Sequence, residues 1–120
     1  MDECIFCKII RGESPAEVVF EDERVIAFKA KDPIASGHTL VVPKVHSQDI
    51  FDSNPEDIAA VGRVSQLIAR RLQQESSAVG INILHASGIC AQQSVFHFHI
   101  HVVPRFPSDG LELWLERKNS

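Results

Sequence analysis

Apolar residues follow two periodicities along the chain. Between residues 55 and 72, Ile58, Val61, Val64, Ile68 and Leu72 recur every three or four positions, which places them on one stripe of a helix. The other face carries Arg63, Gln66, Arg70 and Gln73. The segment SNPED opens this helix, with Asn54 as cap, Pro55 in the first turn, and Glu56 and Asp57 at the positive end of the dipole. Elsewhere the apolar residues alternate or run in short blocks, the pattern of strands. AEVVFED (16–22) and RVIAFKA (24–30), divided by a tight charged turn, predict a β-hairpin. TLVVPK (39–44) predicts a third strand, led in by Ser36, Gly37 and His38, with Pro43 marking an edge or the end of pairing. GINILH (80–85) predicts a fourth and VFHFHIHVV (95–103) a fifth, closed by Pro104. KIIRGESP (8–15) reads as a short helix ending at Gly12 and Pro15. No repeat, low-complexity tract or Gly/Ser linker interrupts the chain. Strands grouped around one long helix predict an α+β fold, a five-stranded antiparallel sheet in a single domain over 1–120.

Composition narrows the setting. With 120 residues, 44% of them hydrophobic, the chain supports one core and not two. A net charge of −4 offers no basic field, so neither nucleic acid nor an anionic membrane is an expected partner. Neither terminus carries a long apolar run, so the expected location is cytoplasmic. There are three cysteines; a reducing cytosol keeps them as thiols or metal ligands, and Cys90 reads as a free thiol.

The candidate chemistry is concentrated in the fifth strand. His97, His99 and His101 alternate with Phe96, Phe98, Ile100 and Val102. On a strand the histidines share one face, with neighbours about 7 Å apart, and the apolar residues face the long helix. A solvated strand face ordinarily mixes Thr, Lys, Glu and Ser, so three consecutive imidazoles point to metal binding or to base or nucleophile chemistry near neutral pH. Cys4-Ile5-Phe6-Cys7 is a C-x-x-C pair. Its two thiolates have the spacing of zinc ligands, and two histidines complete a tetrahedral site. The competing reading is a redox pair at a helix start. The pair lies near the N-terminus with no preceding strand, and with histidines available the zinc reading is preferred.

These residues resemble a known family. His97-Phe98-His99-Ile100-His101-Val102-Val103 is similar to the alternating signature of the histidine triad superfamily of nucleotide hydrolases and transferases. CIFCKIIRGESPAEVVFED resembles the family's opening, GHTLVVPKVH (37–46) its central strand, and AQQSVFHFHIHVVPR (91–105) the signature of its bacterial zinc-containing members. The resemblance spans nearly the whole chain. It implies a five-stranded antiparallel sheet with one long helix, assembled as a homodimer. It also implies roles. His99 becomes the nucleophile at the α-phosphorus of a nucleotide, forming a nucleotidyl-histidine that water hydrolyses. His101 bonds phosphate oxygens, His38 lies behind the triad, and Ser94 donates to the leaving group or the phosphate. Backbone N–H groups from Gln93 to Val95 add to a phosphate cradle. Zinc takes Cys4, Cys7, His46 and His97, and four protein ligands make it structural.

Phe6, Ile10, Phe28 and Ile34 line a base pocket by the same resemblance, or simply pack in the core. Trp114, in the tail GLELWLERKNS, either reaches a partner subunit or packs locally. The chain departs from the family pattern at three places. Ala30 stands where relatives carry the Asp that holds the ribose, and Asp32 is the substitute at hand. Ala86 stands where many carry an Asn near the phosphate, with His85 and Ser87 as polar neighbours. Gln92 replaces a frequent Gly. The favoured substrates are nucleoside 5′-phosphate conjugates of the phosphoramidate or adenylate type. Dinucleoside polyphosphate hydrolysis, nucleotidyl transfer, a non-catalytic nucleotide-binding module and a zinc-dependent redox protein are the other readings.

Overall fold

A computed structural model of the chain describes residues 4–115. Residues 1–3 and 116–120, which the single-domain reading includes, lie outside the described residues. The elements run α1 (Ile5–Ile10), β1 (Val18–Glu21), β2 (Val25–Lys29), β3 (Thr39–Pro43), α2 (Pro55–Ser76), β4 (Gly80–Leu84), a 3-10 turn (Ile89–Ala91) and β5 (Ile100–Arg105). The strands form one sheet in the order β1-β2-β3-β5-β4, and every neighbouring pair is antiparallel. The expected α+β architecture is therefore present.

Helix α2 starts as its sequence dictates: the Asn54 side chain accepts the Glu56 N–H at 2.9 Å. Its apolar stripe, Ala60, Val61, Val64 and Ile68, packs on Val25, Ala27, Val41, Phe98 and Val102. A second core cluster lies about Phe6, Ile26, Phe28, Leu40 and Val42, with Ile9 and Ile10 of α1 against it. Covering both faces explains why β2 and β3 read as unbroken apolar runs, VIAF and TLVVP, rather than alternating. Arg71 fastens α2 to the edge strand, donating to Val19 O at 3.0 Å with its guanidinium 5.9 Å from the Phe20 ring centroid.

Three expectations need correction. The short helix begins at Ile5 rather than Lys8, because Cys4 caps it: its Sγ accepts the Cys7 N–H at 3.3 Å. Strand β5 begins at Ile100, not Val95. The preceding segment is pinned elsewhere, with the Phe98 N–H donating to Ser47 O at 2.8 Å. Pairing does stop at Pro43, as expected: it is the last residue of β3, opposite Val25, and is tolerated because the β3–β5 ladder covers only Thr39 to Val41. Pro104 does not close β5; it pairs opposite Ile81, past the last β3 contact at Val102.

Candidate active site and metal centre

Two groups of side chains meet at the segment that leads into β5. The first joins Cys4 and Cys7, one turn apart at the start of α1, to His46 after β3 and to His97. Cys4 Sγ lies 3.3 Å from His97 Nδ1, and Cys7 Sγ lies 3.3 Å from His46 Nδ1 and 3.6 Å from His97 Nδ1. The two Nδ1 atoms are 3.1 Å apart, and all four donor atoms fall within 4.8 Å of one another. A tetrahedron built on zinc bond lengths of about 2.0–2.3 Å has edges of about 3.3–3.8 Å, close to this spacing. The protonation pattern also fits a cation. His97 Nε2–H donates to the Pro43 carbonyl at 2.8 Å, which leaves the Nδ1 lone pair facing the sulfurs. Burial pushes the His97 pKa down to about 4, against the opposing effect of that carbonyl, so the ring is neutral and able to ligate. The pair does sit at a helix start, contrary to expectation, but both sulfurs face imidazoles. Among the described cysteines none is in a disulfide.

The second group is the triad with His38. His97 and His99 are buried, not on an open polar face, because Phe6 of α1 covers both with ring centroids at 5.8 and 5.1 Å. His99 Nδ1–H donates to the carbonyl of His97 at 2.8 Å. Its Nε2 therefore keeps the lone pair. The proton positions of the next two rings follow from one backbone donor. The Ile34 N–H reaches His38 Nδ1 at 3.3 Å, so His38 carries its proton on Nε2 and donates to His101 Nδ1 at 3.0 Å. His101 then carries its proton on Nε2 and offers a donor beside the lone pair of His99; the two rings lie 4.9 Å apart. Burial lowers the pKa of His38 and of His99, the latter against the pull of the His97 carbonyl. It takes His101 to about 4, with smaller contributions from neighbouring histidines. All three rings are neutral near pH 7.

The loop before the triad is held by Gln93. Its amide accepts the Gly88 N–H at 2.7 Å and donates to Gln48 O at 2.7 Å and Val95 O at 3.0 Å. Its own N–H donates to Gly88 O at 3.1 Å. Gln93 is thus fully used within the fold, which removes it from the expected phosphate cradle. Ser94 is exposed, and neither its hydroxyl nor the N–H groups of Ser94 and Val95 have a partner among the described residues. Phe6 and Phe28 pack edge to face at 5.4 Å, with Ile10, Ala30 and Val95 around them. Ile34 and Asp32 are exposed, and Asp32 has no polar contact among the described residues. Trp114 is 68% exposed and does not pack locally. His85 and Ser87 bond to each other and to backbone, so they do not stand in for a side chain at Ala86. Three functional groups were outside the reach of side-chain patterns: the carbonyls of Pro43 and His97 and the N–H of Ile34, each a backbone atom whose placement depends on the fold.

Buried His97 and His99 leading into β5, half-buried His101 on that strand of a five-stranded antiparallel sheet, and a Cys2His2 cluster beside them define a histidine-triad domain. The HIT domain family model matches residues 11–108, and the chain belongs to this family. A HIT-like protein of Borreliella burgdorferi is 45% identical over 112 residues, 92% of this chain and 81% of that one. A zinc-bound histidine triad family protein from Mycobacterium smegmatis superposes with a TM-score of 0.89 at 40% identity, covering 97% of this chain and 84% of that one. An adenylylsulfatase of Arabidopsis thaliana is 36% identical over 110 residues, 92% of this chain and 56% of that protein. The family is a superfamily of nucleotide hydrolases and transferases.

Proposed function

We propose that the protein hydrolyses nucleoside 5′-monophosphate conjugates, phosphoramidates or adenylates, through a covalent nucleotidyl intermediate on His99. The observation that carries this reading is the proton pattern of the triad. His99 presents a neutral Nε2 lone pair, held in place through Nδ1, next to a donor on His101. In the first step His99 Nε2 attacks the α-phosphorus, the bond from phosphorus to the leaving group breaks, and an amine leaving group takes a proton from solvent, which hydrolysis of the nucleotidyl-imidazolium by water returns in the second step. In the second step water attacks phosphorus, the phosphorus–nitrogen bond breaks, and nucleoside monophosphate and neutral His99 are released. His101 Nε2–H donates to the phosphate oxygens, and His38 holds the tautomer that makes this donor available. Ser94 and the N–H groups of Ser94 and Val95 supply further donors for the phosphate or the leaving group.

Ile34 and half-buried Ile10 offer apolar surface to the base, backed by the buried Phe6 and Phe28, and Asp32 is the exposed carboxylate we assign to the ribose. Cys4, Cys7, His46 and His97 would hold zinc, and a closed four-ligand site supplies a cross-link rather than an open Lewis acid. It ties α1 and the loop after β3 to the segment that carries His99. Pairing of two copies along β4 suits the exposure of Val79 and Ile83 on that edge. No described helix is long and apolar enough to cross a membrane, and reduced cysteines suit a cytoplasmic setting.

The test is hydrolysis of a fluorogenic adenosine phosphoramidate by wild type and His99→Ala. The variant is expected to lose turnover; equal rates reject the assignment. Adenylyl sulfate belongs in the same panel, because the Arabidopsis thaliana relative is an adenylylsulfatase.

A further inference from the structure

The β4–β5 ladder ends where Leu84 faces His101, and the carbonyl of His99 lies just past it. A side chain takes over there. His85 Nδ1–H donates to His99 O at 2.8 Å, and its ring rests on Phe98 with centroids 4.8 Å apart. A carbonyl only accepts, so His85 carries a proton on Nδ1, and its Nε2 is hydrogen-bonded to the Ser87 hydroxyl at 2.6 Å. Ser87 Oγ in turn accepts the Ile50 N–H at 2.9 Å. The pair forms one hydrogen-bonded chain from the loop after β3 to the peptide of His99. The same loop grips the triad segment twice more, through Ser47 O to the Phe98 N–H and Gln48 O to the Gln93 amide, at 2.8 and 2.7 Å. The loop keeps its shape through Ser47 and Ser53, 2.7 Å apart, and through Asp52, which accepts the Gln48 and Asp49 N–H groups.

We propose that His85 and Ser87 are positioning residues for the reaction: they hold the carbonyl end of His99 while the His97 carbonyl holds its imidazole, so that Nε2 stays on its line of attack. This deepens the proposed function and rests on His99 as nucleophile. An exposed histidine two residues from a serine is ordinary surface polarity unless its bonds lead somewhere. Here both ring nitrogens and the hydroxyl are engaged, and they end on the backbone of the reacting residue. Neither side chain needs to touch substrate.

The experiment measures hydrolysis of the fluorogenic adenosine phosphoramidate by full-length His85→Leu, His85→Asn and Ser87→Ala, with zinc content and thermal midpoint for each. His85→Leu removes the donor to His99 O, and kcat is expected to fall about 10- to 100-fold with KM held within about threefold. Asparagine places an amide N–H near the position of Nδ1, so His85→Asn is expected to recover kcat to within about fivefold of wild type. Ser87→Ala frees the ring and is expected to lower kcat about three- to tenfold. A merely structural role would move the thermal midpoint of both His85 variants without rescue of kcat by asparagine. Wild-type kcat in His85→Leu, or no recovery in His85→Asn relative to it, overturns the proposal. If His85→Leu does not fold, wild-type kcat in Ser87→Ala does the same. His99→Ala separates the two readings. Full activity in that variant removes the nucleophile assignment and the positioning role with it. Inactivity there together with an unimpaired His85→Leu removes only the positioning role.

Discussion

Gly37 precedes His38 at the mouth of β3, and replacing it with alanine probes the packing that fixes the site. Its φ is +94°, and a Cβ there would lie 2.9 Å from Leu72 Cδ2 and 3.3 Å from Pro104 Cγ. Two costs add. Holding an L-residue at such a φ costs about 1–3 kcal/mol. Crowding a filled space costs about 1–3 kcal/mol, at the lower end here because the end of Leu72 can rotate away while the buried Pro104 ring cannot. Reduced freedom of the unfolded chain returns only about 0.4–1 kcal/mol. Net destabilisation is therefore about 1–4 kcal/mol. Gly88 is an internal control. It has the same φ of +94°, but nothing lies within 4 Å of its Cβ position. Gly88→Ala should show the backbone cost without the crowding. Urea unfolding of both variants measures the difference, which isolates the contact with Leu72 and Pro104. If Gly37→Ala costs no more than Gly88→Ala, the packing argument is wrong. Accommodating the methyl also shifts His38 against His101, so Gly37→Ala should lose activity as well as stability.

Three further outcomes are expected. Cys4→Ser combined with Cys7→Ser should lower zinc content, read by elemental analysis, and thermal stability together; full zinc occupancy in the double variant would contradict the ligand assignment. Stability should fall as pH drops from about 6.5 to about 4, because burial holds the pKa of His101 down to about 4 in the folded protein against about 6.5 when unfolded, and the unfolded chain binds more protons in that window. Above 6.5 this contribution is complete and flat; a thermal midpoint that rises on acidification through the window would refute it. Gln93→Ala strands the Gly88 N–H and the carbonyls of Gln48 and Val95, with part of the loss recovered by water, for a destabilisation of about 2–4 kcal/mol by urea unfolding. A cost under about 1 kcal/mol would show that the loop is held by something else.

Much of this molecule was legible in the sequence, for identifiable reasons. The α2 stripe and the Asn54 cap are local, and local signals survive folding. The strands were found because each pairs an apolar run with turn residues. Errors arose where a tertiary contact replaced the expected local signal. Cys4 caps α1 through sulfur, which no Ser/Thr/Asp/Asn search detects. Pro104 read as a strand end, yet it lies beyond the β3–β5 ladder and remains within β5, opposite Ile81. The histidine alternation pointed away from a solvated strand face and toward imidazole chemistry, but it did not show what surrounds the rings. Strand period alone cannot reveal that Phe6 closes over His97 and His99. The ligand set Cys4, Cys7, His46 and His97 came from the resemblance, and the structure gathers those four donors within 4.8 Å. The cradle role of the Gln93 N–H came from the family resemblance. The bonds of Gln93 to Gly88, Gln48 and Val95 emerge only when three distant backbones meet.

The central claim is that His99 Nε2 forms a covalent bond to phosphorus, with His97 and His101 serving other atoms. Rapid quenching of the wild-type enzyme with an adenosine phosphoramidate, followed by mass spectrometry of the proteolysed chain, tests it most directly. A nucleoside monophosphate adduct is expected on the peptide containing residues 97–101, placed on His99 by fragmentation and absent from His99→Ala. An adduct on His97 or His101, or turnover with unchanged rate in His99→Ala, would contradict it.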